Sequence, residues 1–379
     1  MIIYHYPGKL DSEAAVGSAL RPLRMLEAFR SLGEEVIEIS GRGLARVGKA
    51  AALDRALESD TVFYSESVNV PPGLTWARRR PWRMNFDYHL IRDLHRRGVP
   101  TGLFYRDIYW MYEETRAINL KSFVKKRLTP AFARRELRHY EKSLDVLFLP
   151  HKNMGQYVPF PFSDTEMRTL PPGGEQRDPD PGVERDSVGK GGCLNLLYVG
   201  NIAPPHYDLR PYIEAVETVS CAKLEVVTRE RALRHHGDLY RFGDYRNVSV
   251  VHTHGEGLNP CYRGADLALA VRNDNDYLAC CMPVKIFEAL SFGVPLIVSA
   301  GLRVVAELVE REQLGWVVSS PAEFRNLLGR LAENPGELQR VRRRVLRARE
   351  RHTWEARARE VVEVLRAVRT RKGAGPDFR

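Results

Sequence analysis

The sequence predicts two doubly wound α/β domains, each built on a parallel sheet. Three observations carry that expectation. Short apolar runs alternate with amphipathic stretches through both halves of the 379 residues. A turn-rich, apolar-poor segment separates the halves. A chain of this length with 44% hydrophobic content suits two cores better than one.

In the first half, strands are expected at Ile2–Tyr4, Glu35–Ile39, Thr61–Ser65, Gly102–Tyr105 and Asp145–Leu149. Between the first two, Met25, Leu26, Phe29 and Leu32 share one helical face, and Gly33 supplies a left-handed stop. Further helices are expected at 47–58, 86–97 and 134–142. Residues 163–192 crowd turn formers, as in Pro171-Pro-Gly-Gly174 and Gly189-Lys-Gly-Gly192, and read as a linker. The second half repeats the alternation, with strands at 194–199, 224–227, 248–251, 266–271, 296–299 and 316–318. After Pro335 the pattern is helical to about Arg371. The expected division is a first domain over 1–165, a linker over 166–193, a second domain over 194–350, a closing helix over 351–371 and a disordered tail over 372–379. Two such sheets are expected to face a cleft at the carboxyl ends of their strands, where open parallel sheets bind ligands.

The segment with most chemical content is Met282-Pro-Val-Lys285-Ile-Phe-Glu288, which runs on into Gly293-Val-Pro-Leu-Ile-Val-Ser299. Pro283 suits the first turn of a helix and Gly293 the position past its end. Lys285 in that first turn adds a full charge to the exposed backbone amides, a combination suited to a diphosphate. Glu288, three residues on, lies on the same face and can accept hydrogen bonds from the vicinal hydroxyls of a ribose. The same two residues also fit an amphipathic surface helix with an ordinary Lys–Glu ion pair.

On these residues the sequence resembles the retaining GT-B glycosyltransferases that use nucleotide-activated sugars. Tyr198-Val-Gly200-Asn201 is similar to the first strand and phosphate-facing loop of that family's donor domain, and Ala265–Ala270 to the strand before its site. Gly17-Ser18-Ala-Leu-Arg21 resembles the glycine-containing loop of the acceptor domain, and Tyr105-Arg-Asp107 a strand end that bears an acidic or histidine residue. Leu170–Gly173 and the helix at Trp354, which in the family crosses back to the N-terminal domain, complete the order. The resemblance implies donor binding by Gly17, Ser18, Arg21, Gly200, Asn201, Arg229, Arg272, Pro283, Lys285 and Glu288, with Asp107 and Lys285 as catalytic residues. It implies transfer of a sugar from a nucleoside diphosphate sugar to a hydroxyl acceptor, with retention and without a metal cofactor. Cys280 stands where many relatives place a glutamate eight residues before Glu288, so a non-catalytic accessory protein of the same fold is the alternative.

Other features narrow the classes. Asp274-Asn-Asp276 has the spacing of a cation chelate but lacks the further oxygen ligands a hard cation needs. The five cysteines show no zinc spacing. His5 and the other loop histidines read as surface or capping residues. No nucleotide phosphate loop, nucleophile elbow or dinucleotide fingerprint is present. From Arg340 to Arg379 there are 14 basic and 5 acidic residues, nearly the whole net charge of +10. Basic, aromatic-bearing stretches at 78–97, with Trp76 and Trp82, and at 121–142 suit either an anionic membrane surface or a solvated helix face. No nucleic-acid partner is expected. The absence of a long apolar run and of a secretory signal pattern predicts a cytoplasmic protein, with peripheral contact at the inner membrane face as a further expectation.

Overall fold

The computed structural model describes residues 1–10, 17–41, 43–51, 53, 56–68, 71–72, 83–111, 120–159, 161–177, 192–272 and 279–372. The chain forms two compact units, Met1–Pro171 with Arg357–Arg379, and Pro172–Ala356.

The first unit runs β1 (Ile2–Tyr6), α1 (Gly17–Ser31), β2 (Val36–Ser40), α2 (Leu44–Ala50), β3 (Val62–Glu66), α3 (Phe86–Arg96), β4 (Thr101–Phe104), α4 (Leu120–Glu141), β5 (Val146–Leu149) and β6 (Glu166–Thr169). All neighbours pair in parallel, in the order β2-β1-β3-β4-β5-β6. Ile3, Phe63, Leu103 and Leu147 are fully buried on these strands and form the spine of one core with α3 and α4 residues such as Ile91 and Leu137. The order reverses between β1 and β3, the kind of switch point outside which open parallel sheets bind ligands.

Three expectations needed correction here. The helix expected at 134–142 is the second half of α4, because Pro130 lies inside a continuous helix that starts at Leu120. The helix expected at 47–58 instead occupies Leu44–Ala50, opened by Gly43 at φ 55°. Residues 166–169, assigned to the linker, are the edge strand β6; its Glu-Met-Arg-Thr sequence has the polar character edge strands favour and so lacks an apolar signature. The first domain therefore extends to Pro171 rather than 165, and the return point is 356/357 rather than 350/351.

The second unit runs β7 (Leu194–Val199), α5 (Arg210–Glu217), β8 (Ala222–Val227), α6 (Glu230–Tyr240), β9 (Val248–Val251), α7 (Leu258–Gly264), β10 (Leu267–Ala270), α8 (Val284–Ser291), β11 (Leu296–Ser299), α9 (Arg303–Glu312), β12 (Gly315–Val318), α10 (Pro321–Glu333) and α11 (Pro335–Ala348). Its parallel sheet has the order β12-β11-β10-β7-β8-β9, with the reversal between β7 and β10. Cores lie on both faces of this sheet, one around Phe287 and Val305 and the other around Ile213 and Phe324.

The closing helix α12 (Trp354–Lys372) starts in the second unit and joins the first from Arg357 onward. Its fully buried Leu365 lies against Gly102 of β4, and Arg366 and Arg371 pair with Glu34 and Glu166 at 2.8 and 2.9 Å. Its start is held by the strand-like pairing of Gly174 with Thr353. A Cβ on Gly173 would lie 2.5 Å from the Trp354 backbone nitrogen, so the approach requires glycine. Among the described residues no helix is long and apolar enough to cross a membrane.

Candidate functional site

Helix α8 begins as the sequence implies. Pro283 is its N-cap in extended conformation, with no side-chain cap bond; its carbonyl accepts from the Ile286 amide at 3.2 Å, and the Val284 and Lys285 amides are the ones left open. Gly293, at φ 72°, takes the left-handed position that ends it, and Ile286, Phe287, Ala289 and Leu290 bury one side against the sheet. That packing turns Lys285 and Glu288 outward, the two side chains being 36% and 19% exposed.

A hollow opens at the reversal point of the second sheet. Leu197–Val199 of β7, Ala268–Ala270 of β10, Arg272, Tyr262, Pro283 and Lys285 line it. Three residues singled out from the sequence, Arg272, Pro283 and Lys285, thus converge where parallel sheets bind ligands. The backbone amide of Arg272 donates to Ser299 Oγ at 3.0 Å, and its guanidinium lies 4.8 Å from the Tyr207 ring centre. Lys285 Nζ donates to both oxygens of Glu288, at 3.0 and 2.7 Å, so the two residues assigned to phosphate and ribose hold each other in this structure. Tyr262, on α7, donates its hydroxyl to Glu288 Oε2 at 3.1 Å and stacks on Phe292. Burial, reinforced by the Glu288 charge, pushes the Tyr262 phenol well above its ordinary range, so it remains a hydrogen-bond donor. Sequence reading missed Tyr262, because only the fold brings it to a residue 26 positions away.

Gly200 and Asn201 follow β7, and Asn201 Oδ1 accepts from the Ile202 amide at 2.9 Å. Arg229 is the exposed N-cap of α6. These three stand at the same end of the sheet without lining the hollow.

In the first unit, Gly17 and Ser18 open α1, which sets their backbone at its N-terminus. Arg21 is 3% exposed; its Nε donates to both Glu66 oxygens at 3.1 and 3.2 Å, and its guanidinium lies 3.4 Å from the Phe104 ring centre. The structure therefore gives Arg21 an internal role, with Tyr64 completing the set by donating to Glu66 at 2.6 Å. Asp107 is half-buried and lines a second, smaller hollow beyond β3 and β4 with Ser67, Tyr105, Arg106, Trp110, Thr129 and Glu136.

His5 is neither surface nor capping. It is 1% exposed, with Nδ1 2.8 Å from Ser65 Oγ and Nε2 3.0 Å from Asp87, whose carboxylate also receives Arg46 at 2.7 and 2.8 Å. Burial lowers the His5 pKa. For Asp87 burial works toward a higher value, but the His5 and Arg46 bonds prevail and hold the carboxyl well below its ordinary range. His151 does cap, accepting from the Asn153 amide at 3.3 Å.

Asp274-Asn-Asp276 lies outside the described residues, as do Trp76 and Trp82, and among the described residues no cluster of three metal-ligating side chains occurs.

Residues 218–363 match the family described as "Glycosyl transferase-like". A search of curated protein sequences found no match. Among solved structures the chain is similar to sucrose-phosphate synthase from Thermosynechococcus elongatus, with a TM-score of 0.60, 14% identity and coverage of 98% of this chain and 99% of that one. It is also similar to HepE from Anabaena, solved with UDP and glucose, with a TM-score of 0.57, 14% identity and coverage of 97% and 100%. A third likeness is to α,α-trehalose 6-phosphate synthase from Burkholderia multivorans, with a TM-score of 0.56, 11% identity and coverage of 98% and 99%. The likeness along nearly the whole chain shows that this protein has the two-domain GT-B fold, and residues 218–363 of it match the family described above.

Proposed function

We propose that this protein moves a sugar from a nucleoside diphosphate donor to a hydroxyl acceptor, with retention and without a metal cofactor. The observation that carries the donor assignment is the convergence of Arg272, Lys285 and the open amides of α8 on the hollow between β7 and β10. Two cations and a helix N-terminus suit a diphosphate, and HepE of like fold was solved with UDP. In this reading Lys285 and the amides stabilise charge that develops on the leaving diphosphate. Glu288 receives the ribose hydroxyls, and Gly200, Asn201 and Arg229 lie at the rim of the nucleotide site. Asp107 orients the sugar acceptor, and Gly17 and Ser18 contribute backbone amides to the phosphate side.

The Lys285–Glu288 pair does not oppose this role. A partly exposed pair three residues apart on a helix, still screened by solvent, contributes on the order of 1 kcal/mol, whereas a charge-assisted bond to a phosphate oxygen is among the stronger kinds. A bound diphosphate therefore outcompetes Glu288 for Lys285, and Tyr262 keeps the released carboxylate in place. Calorimetric titration of UDP and of UDP-sugars tests the reading. Micromolar UDP binding with unchanged turnover in chelator is expected; no binding of any nucleotide, or activity abolished by chelator and restored by manganese, contradicts it.

A further inference from the structure

Glu136 is a buried acid that the fold of the first domain does not require. It sits on α4 at 2% exposure, and among the described residues its one hydrogen bond is from the Tyr140 hydroxyl to Oε1 at 2.6 Å. Among the described residues no basic side chain forms an ion pair with it, and Asp87, of like sign, adds a repulsive charge. A carboxylate in that setting is costly to ionise. Burial outweighs the opposing pull of the Tyr140 hydrogen bond and, with a smaller push from Asp87, raises its pKa to about 8. At neutral pH it is therefore a carboxylic acid with one O–H to donate. With Oε1 taken by Tyr140, the second oxygen remains for the hollow that Glu136 lines.

That hollow lies just past the carboxyl ends of β3 and β4, the end of a parallel sheet that holds ligands. Ser67 and Thr129, both nearly fully buried, line it together with Asp107, Arg106 and the rings of Tyr105 and Trp110. The wall is fixed: Trp110 Nε1 donates to the Tyr105 hydroxyl at 2.9 Å, and the Arg106 amide donates to Ser67 Oγ at 2.9 Å. The space suits a group the size of one hydroxyl or water rather than a whole ring.

We propose that this hollow receives one hydroxyl of a hydroxylated acceptor, and that Glu136 selects it by donating a hydrogen bond to its oxygen while Asp107 accepts from the same ligand. The proposal rests on the acceptor role given to Asp107 above and adds a selecting residue that the sequence pattern hides. A neutral acid and a carboxylate pose opposite demands, so acceptor binding carries a pH signature. Among the described residues, the charged and titratable groups around Glu136 are Tyr140 on its own helix, Asp87 from α3, and Tyr105, Arg106 and Asp107 from the segment after β4. Burial keeps the Tyr140 phenol protonated and the His5 and Arg46 bonds keep Asp87 ionised, so neither changes charge near pH 8, whereas Glu136 does.

Ligand-observed NMR with glucose, mannose and glycerol as probes, on the full chain with UDP present, tests this at pH 7 and pH 9. From a pKa of about 8 the donating form falls from roughly nine-tenths to roughly one-tenth, so wild-type affinity should drop about tenfold. Glu136→Gln, which keeps a donor of the same size, should bind equally at both pH values, and Glu136→Leu should bind weakly at both. An identical pH profile in wild type and Glu136→Gln, wild-type affinity in Glu136→Leu, or no probe bound by wild type at pH 7 would overturn the proposal. UDP affinity in the same samples is scored separately: its loss in the wild type counts against the donor assignment, and its retention in the variants confines any failure to Glu136.

Discussion

At the scale of single residues, the donor grip is a set of replaceable partnerships. Glu288 is held by Lys285 on its own helix and by Tyr262 from α7. In the proposed role, removing the carboxylate deletes its charge-assisted bonding to the ribose, worth about 1.5–3 kcal/mol in all, so Glu288→Ala should weaken UDP binding by one to two orders of magnitude in calorimetry. Tyr262→Phe removes a single bond that positions Glu288. It should cost severalfold in UDP affinity, near 1 kcal/mol, while leaving the unfolding midpoint little changed because the ring still stacks on Phe292. The sequence shows Lys285 and Glu288 because a proline start and a glycine stop frame them in ten residues. Tyr262 and Glu136 were illegible for the same physical reason: their partners come from packing, and a glutamate in a basic helix has no local mark of burial.

Elements show a different balance. Asp87 opens α3 and takes a bidentate bond from Arg46 of α2 and one from His5 of β1, so one carboxylate ties three elements. Its folded-state pKa is depressed, so its stabilisation is present above the ordinary carboxyl range and is lost as pH falls below it. Asp87→Asn should cost about 3–5 kcal/mol in urea unfolding at pH 7, since it leaves Arg46 buried without its charge partner, and should flatten the acid limb of the stability curve. Glu136 has the opposite sign. Its folded pKa is raised to about 8, so the protein is most stable with respect to this group below the unfolded value and loses stability as pH rises toward 8. Glu136→Gln should remove that slope between pH 5 and 9, read as urea midpoints. Strands and helices with apolar periodicity were readable in the sequence, including β7, β9 and β11 at their exact bounds. Polar β6 and proline-bearing α4 were not, because period is a record of burial on one face and neither element writes that record clearly.

For the whole molecule, each unit repeats one design: a six-stranded parallel sheet whose order reverses once. The two-domain GT-B fold expected from motif order is the fold of the structure, which matches solved structures along nearly its full length. The domain boundaries moved by a few residues, since the linker sequence continues the first sheet before it turns. The closing helix belongs to the first unit from Arg357 onward, and Leu365→Ala there should destabilise the protein by about 2–5 kcal/mol through the cavity left against Gly102. The central claim is that α8 and the hollow between β7 and β10 hold a nucleoside diphosphate. Its most direct measurement is calorimetric titration of UDP into wild type and Glu288→Ala: saturable binding in the first and at least tenfold weaker binding in the second are predicted, while equal affinity in both, or none in either, would contradict it.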